Sequence, residues 1–287
     1  MADIRKKLRE NAPGEFYVDS SCIDCDLCRQ IAPGVFREAG EASIVHHQPS
    51  TPDEVLRAEM ALVTCPTASI GTVEKHDLSA ALAAFPEPVE GNVHFCGFAS
   101  EASYGASSYL IVRPGGNVLV DSPRFTAPLA RRIESLGGAR WMFLTHQDDV
   151  ADHRKFRERF GCDRIMHVKD AGFSVERPIK GSDPVRLDDD LLVIPTPGHT
   201  AGHQTLLHRG RFLFTGDHLW WDPESRRLDA SRRYCWHSWS EQRRSMERLL
   251  EASFEWVLPG HGGWHHAPSP VQMRRELETC VAWMKTR

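Results

Sequence analysis

The sequence predicts a two-domain α+β protein, and three observations carry that prediction. In the first 75 residues, Cys22, Cys25 and Cys28 stand at x2 spacing, and a distant fourth cysteine, Cys65, precedes Pro66. Between 91 and 287, four short apolar runs each end in a turn bearing His or Asp: 141–144, 191–194, 211–215 and 256–258. Between these regions, residues 76–90 change from an Ala-rich stretch to Pro86-Glu87-Pro88 and read as a linker stiffened by its prolines. The expected boundaries are therefore 1–75, 76–90 and 91–287.

Composition narrows the class. The chain is 41% hydrophobic and 26% charged, the balance of a soluble globular protein. No apolar run approaches the ~20 residues that span a bilayer. The charged start, Met1 to Glu10, lacks the apolar core of a signal peptide, so a cytoplasmic protein with no membrane partner is expected. Residues 1–90 hold 8 Lys/Arg against 15 Asp/Glu, a net −7, and the remainder carries +3. Two parts of opposite sign suggest different partners, and charges this small give no argument for nucleic acid. In a chain expected to stay in a reducing compartment, the clustered cysteines read as metal ligands rather than disulfides. Cys96, Cys162 and Cys280 read as small core residues.

The first region opens with a short strand at 16–19. The Cys-x2-Cys-x2-Cys loop follows, and a short loop of this spacing can turn three thiolates toward one centre. A helical turn or two then stops at Pro33-Gly34. A strand is expected at 41–45. Residues 52–63 predict a helix, with Thr51 as N-cap, Pro52 in the first position and Val55, Leu56, Ala58 and Leu62 apolar. It leads into Cys65-Pro66. This pattern resembles the single-cluster bacterial-type ferredoxins, and all four ligand positions match, at Cys22, Cys25, Cys28 and Cys65. The resemblance implies a small ferredoxin-like domain holding one [4Fe–4S] cluster. Its acidic surface would suit a redox partner protein. Four thiolates also suit zinc, but the triple-Cys run with a late Cys-Pro favours iron–sulfur.

From 91 onward, a strand at 93–96 precedes a hairpin pattern at 107–121, with apolar arms around Pro114-Gly115-Gly116-Asn117. A helix at 126–136 ends at Gly137-Gly138. The apolar run 141–144 then meets a dense set of ligand-type residues, His146, Asp148, Asp149, Asp152 and His153. A helix at 152–160 and a strand at 164–168 follow. The later runs lead to Pro197-Gly198-His199-Thr200, to Gly216-Asp217-His218 and to Pro259-Gly260-His261. Glycine beside a ligand lets the backbone turn tightly. Strand–loop units of this kind predict one shared site at one sheet edge.

These motifs, in this order, resemble the metallo-β-lactamase superfamily over essentially all of 91–287. The resemblance implies an αββα sandwich with a metal site along one edge. It assigns His146 and His199 to a first metal, His153 and His261 to a second with Asp152 beside them, and Asp217 to a bridge. The first motif departs from the usual His-x-His-x-Asp-His. Asp148 replaces the second His, and two extra residues precede Asp152-His153. Either Asp148 is a carboxylate ligand or Asp149 moves into that role. A carboxylate is harder than imidazole and shifts preference from zinc toward iron or manganese, and flavodiiron proteins of the superfamily also place a carboxylate here. One or two divalent metals are expected.

The other histidines carry less signal. His203 reads as an ordered pocket or structural residue, and His218, His265 and His266 as supporting or exposed. Residues 220–239 combine four Trp with Arg226, Arg227, Arg232, Arg233 and Tyr234. They could roof the cleft over an anionic or aromatic small-molecule substrate, or pack onto the body. The resemblance implies a hydrolase in which metals activate water, Asp217 sets the metal spacing and Asp152 or Asp149 accepts a proton. Esters, thioesters, lactones, β-lactams and phosphodiesters are the superfamily's substrates. The cluster supports two alternatives: an iron-dependent oxidoreductase fed through the ferredoxin domain, or a redox-gated hydrolase.

Overall fold

The computed structural model describes residues 2–286, which fall into two compact units. One runs to Asn117 and includes 122–139 and 151–160; the other gathers 118–121, 140–150 and the chain from Gly161 onward. Among the described residues, no helix is long and apolar enough to cross a membrane.

In the first unit, strand Phe16–Val18 pairs antiparallel with Ile70–Thr72, and Phe36–Ala39 forms a hairpin with Ala42–Val45. The helix Pro52–Thr64 starts where its signals place it. Thr51 Oγ1 accepts from Glu54 N at 3.2 Å, and Glu54 Oε2 accepts from Thr51 N at 3.1 Å, a reciprocal capping box. Cys65 is the residue that ends this helix. Phe16, Val18, Phe36, Val45 and Ala61 are buried at its core.

The stretch 76–90 is not a spacer. It forms a short helix, Ser79–Ala83, and a strand, Glu87–Glu90, which pairs with Val93–Phe95; that strand in turn pairs with Tyr109–Ile111. Pro88 lies on an outer strand, where its missing N–H costs no ladder bond, and the register shifts beside it. Phe85 is fully buried, edge-on to Phe95 and Phe98 at 5.9 and 5.6 Å. Glu87 pairs with Arg57 of the long helix. Burial of a large ring and an ion pair to the long helix make this segment part of the first unit.

In the second unit, Val118–Val120, Trp141–Phe143, Asp163–His167 and Arg177–Ile179 pair in parallel, in that order. A six-stranded sheet follows, in the order Val185–Asp188, Leu191–Pro195, Gln204–His208, Phe212–Gly216, Trp256–Pro259, His265–His266. Phe212–Gly216 is buried along its whole length, as a strand covered on both faces must be. Its Leu213, with Val257, packs against Met246 and Leu249 of helix Trp239–Leu249 and Met273 and Leu277 of helix Pro270–Met284. Strands 212–216 and 256–259 are parallel, and 191–195 is related to them through one antiparallel neighbour. All three therefore point their C-terminal ends to one edge. The end of strand 141–143 is brought there by Gln204, whose backbone N donates to Thr145 O and whose Nε2 donates to Leu144 O, both at 2.9 Å.

Arg164 and Glu176 form an ion pair in this unit. Arg164 donates to Glu176 from its backbone N at 3.0 Å, Nε at 2.9 Å and Nη2 at 2.8 Å. These side-chain bonds hold the Glu176 carboxyl at about 2. A depressed folded pKa gives stability that is full above the unfolded value near 4.5 and is lost as pH falls toward 2. Glu176→Gln should cost about 1–2 kcal/mol in urea denaturation at pH 7, and its difference from wild type should shrink below about pH 4.5.

Candidate metal centres

The cysteine site is local in origin. Asp24 and Asp26 take left-handed backbone conformations, φ 55° and 70°, which curl the loop around its cysteines. Arg29 locks that curl by donating Nε to Asp26 at 2.7 Å and Nη1 to Asp24 at 2.6 Å. Cys22, Cys25, Cys28 and Cys65 are free thiols lining one small cavity with Val18, Ile23, Leu27 and Ile70. Burial pushes the Cys25 thiol up to about 12 and raises Cys28 further. Backbone N–H groups nonetheless point at sulfur, Ser43 at Cys22 (3.4 Å) and Ser69 at Cys65 (3.3 Å). Thiols forced neutral by an apolar hole, yet supplied with N–H donors, fit an iron–sulfur cluster, whose iron offsets the thiolate charge.

The second centre is tertiary. Thr145 anchors it: its N and Oγ1 donate to Asp121 at 2.8 and 3.0 Å, so its oxygen is left to accept from His146 Nδ1, 3.0 Å away. That sets the tautomer with the His146 Nε2 lone pair facing inward. His146 Nε2 lies 3.8 Å from Asp148 Oδ2 and 3.7 Å from Asp217 Oδ2; His199 Nε2 lies 3.7 and 3.8 Å from the same atoms. Both imidazole Nε2 atoms are buried with no hydrogen-bond partner. Asp149 is 1% exposed, and neither carboxylate oxygen has a hydrogen bond. Its Oδ2 lies 3.9 Å from His146 Nδ1, and His261 Nε2 is 3.7 Å from Asp217 Oδ2.

The groups able to hold an ion are thus His146, Asp148 and His199, and next to them His146, Asp149 and Asp217. Burial, with repulsion from Asp217, Asp121 and Asp148, raises the Asp149 carboxyl well above its usual range. Burial pushes His146 down to about 4. Burial also opposes the Asp217 charge, but His261, His146 and His199 hold its pKa below the usual value. Buried carboxylate oxygens and imidazole nitrogens that lack hydrogen bonds cost free energy unless a cation joins them, so these residues fit a divalent metal.

Gly260 is built into this arrangement. A Cβ there would lie 2.6 Å from Asp217 Oδ1 and 2.7 Å from Asp149 Oδ2. Gly260→Ala should displace both carboxylates and lower metal occupancy at least tenfold, the scale of a disturbed ligand shell. Elemental analysis of dialysed protein checks it, and unchanged occupancy would contradict the carboxylates' role.

Asp152 is placed elsewhere. Its Oδ2 accepts from Phe125 N at 2.7 Å and its Oδ1 pairs with Lys155 at 2.7 Å, both within the first unit. Among the described residues, Asp152 is in neither group of side chains able to hold an ion, whereas Asp149 stands with His146 and Asp217. His153 is buried at the start of helix His153–Phe160 and belongs to neither metal-capable group. His203 bonds Thr196 Oγ1 through Nδ1 at 2.9 Å. His218 is fully buried. His265 stacks on Trp221 at 4.0 Å and meets Glu276 at 2.5 Å.

Sequence reading did not find Asp170. It accepts from Thr200 Oγ1, Gly202 N (2.6 Å) and Gln147 N (3.3 Å), tying the His199 loop to the His146 loop. Nothing local marks it, because its partners lie 23 to 32 residues away. The aromatic segment docks beside His199: Trp236 N and His237 N donate to His199 O at 2.9 and 3.0 Å, and Cys235 Sγ donates to Gly198 O at 3.1 Å. Trp236 stays 63% exposed, its ring 6.2 Å from that of His199.

Residues 18–72 match the 4Fe-4S single cluster domain of ferredoxin I. A hydroxyacylglutathione hydrolase of Chelativorans sp. (strain BNC1) is 35% identical over 112 residues, which are 37% of this chain and 44% of that protein. The match thus spans less than half the length of that relative. Among solved structures, BLEG-1 B3 metallo-β-lactamase is similar with TM-score 0.51 and 15% identity, covering 66% of this chain and 99% of its own. DIM-1 metallo-β-lactamase is similar with TM-score 0.50 and 20% identity, over 67% and 95%. At such identities the likeness speaks for the fold. The chain therefore joins an N-terminal single-cluster 4Fe-4S ferredoxin domain to a metallo-β-lactamase fold.

Proposed function

We propose that this protein is a metal-dependent hydrolase of an anionic acyl thioester or related ester. The carrying observation is the convergence of His146 Nε2 and His199 Nε2, buried and unpaired, on the carboxylates of Asp148 and Asp217. His146, Asp148, His199 and Asp217 would hold one divalent ion. Asp149, Asp217 and His261 would offer a second position. A bound divalent ion supplies Lewis acidity and a water of lowered pKa.

The chain's own residues do the rest. Asp217 belongs to both positions and sets their spacing. Thr145 and Asp121 fix the His146 ring, and Asp170 fixes the loops on either side. Asp149, enclosed and without a hydrogen bond, is the carboxylate placed to receive a proton, in the role the sequence divides between Asp149 and Asp152. Trp236 presents an aromatic ring beside His199, Tyr234 meets Trp236 edge-on at 6.3 Å, and Arg233 lies over the Tyr234 ring at 5.5 Å. That surface suits an anionic substrate with a flat acyl or amide group. The name of the Chelativorans relative, a hydroxyacylglutathione hydrolase, supports a glutathione-type thioester. The clustered Cys22, Cys25, Cys28 and Cys65 suit metal binding in a reducing compartment, and on that ground we place the protein in the cytoplasm.

A second reading rests on Asp148. A carboxylate in place of imidazole favours iron, and an iron site could exchange electrons delivered by a partner protein docked on the acidic ferredoxin domain. The deciding experiment is elemental analysis of anaerobically purified protein together with assays on acyl thioesters, lactones and phosphodiesters. Thioester hydrolysis that follows metal content supports the proposal. A fully metallated protein inactive on all three classes, with iron reduced through the cluster, overturns it in favour of the oxidoreductase.

A further inference from the structure

The ferredoxin cysteines are partly enclosed by chain that follows the cluster domain. Gly105, at φ +88°, passes so close that a Cβ would lie 2.5 Å from Cys25 Cβ and 2.8 Å from its Sγ. Arg124 reaches the same region. Its Nη2 donates to Val63 O at 2.9 Å, in the last turn of the helix that delivers Cys65, and its backbone N donates to Phe98 O at 2.7 Å. A cation suits a helix C-terminus. Its Nε is buried with no hydrogen-bond acceptor. Next to it in sequence, Phe125 N donates to Asp152 Oδ2 at 2.7 Å. Burial disfavours the Arg124 charge, while Cys65 and Asp152 both attract it.

We propose that Arg124 is a potential-setting residue for the cluster, and that Asp152, committed away from the metal-capable groups, positions and partly neutralises it. Net charge and hydrogen bonding around a cluster set its reduction potential. Reduction places one electron, taken from an external reductant, on the cluster; no bond forms or breaks. A fixed cation beside the helix end that carries Cys65 favours the added negative charge. A carboxylate beside that cation opposes it. The two residues therefore act with opposite sign.

The test is an EPR-monitored redox titration of the full-length, cluster-loaded protein with dithionite as reductant. It needs no turnover, so its outcome is separate from that of the hydrolase proposal. Arg124→Gln should make the cluster about tenfold harder to reduce, the scale of one half-buried charge, which is 59 mV lower for a one-electron couple. Asp152→Asn should shift the potential upward, and Arg124→Lys should stay near wild type. Visible absorbance establishes that each variant keeps its cluster. Shifts of the same sign in Arg124→Gln and Asp152→Asn, or no shift in either, overturn the proposal. If Arg124→Gln loses its cluster, Asp152→Asn decides alone, and a potential that fails to rise overturns it.

Discussion

For the proposed hydrolase, Asp217→Asn is expected to remove most of the divalent metal and to lower kcat/KM on acyl thioesters by about a thousandfold or more, the range seen when a group central to charge stabilisation is lost. The reason lies in the number of partners that one carboxylate serves. Its Oδ2 stands 3.7 Å from His146 Nε2, 3.8 Å from His199 Nε2 and 3.7 Å from His261 Nε2. An amide at this position would put N–H donors or a neutral oxygen where three imidazole Nε2 atoms converge. It would also leave Asp149 as the remaining buried carboxylate beside His146. The 4Fe-4S absorbance should be unchanged, because no cysteine ligand lies in this centre. Full metal occupancy and wild-type rate in the variant would show that the ion, and the reaction, are elsewhere. Asp148→His is the informative companion: its carboxylate is 45% exposed at the rim, so the site should survive with its preference moved toward zinc.

How much of this was legible depended on how local each feature is. The helix Pro52–Thr64 could be read from Thr51, Pro52 and Glu54 alone, since a capping box is a contact within four residues. The cluster ligands were legible for the same reason: three of four lie in one seven-residue loop. His146, His199, Asp217 and His261 each follow an apolar run, so their convergence could be anticipated once the runs were taken as strands of one architecture. The choice between Asp149 and Asp152 could not. Both are aspartates just ahead of His153, and two inserted residues separate this loop from the usual spacing. What distinguishes them is that Asp149 is enclosed without a hydrogen bond while Asp152 finds Phe125 N and Lys155, and those partners come from the fold. The 76–90 stretch misled for a related reason. Pro-x-Pro reads as a stiff tether when its neighbours are unknown, but Phe85 buries a whole ring and Glu87 meets Arg57. Asp170 and Gln204 leave no mark in the sequence at all, because each joins loops far apart along the chain.

Cys65→Ser separates what the two centres do. Cys65 ends the long helix, and its sulfur accepts from Ser69 N at 3.3 Å in a cavity otherwise lined by three thiols and aliphatic side chains. Serine offers a hard, strongly basic oxygen on a shorter bond, so the cluster should be lost or trapped in a smaller form, with its visible absorbance falling severalfold. The packing around the cysteines would then enclose a void, and residues 18–72 should become more sensitive to protease, since metal binding is folding free energy in so small a domain. The second centre draws no ligand from this region: His146, Asp148, Asp149, His199, Asp217 and His261 all belong to the other compact unit. For a hydrolase, thioester turnover in Cys65→Ser should therefore stay within about twofold of wild type, because the chemistry consumes no electrons and relies on activated water. Turnover that vanishes with the cluster, while the divalent metal stays at full occupancy, would mean that electrons reach the second centre during the reaction, and the carboxylate at Asp148 would then be the mark of an iron site rather than a variation on a hydrolytic one.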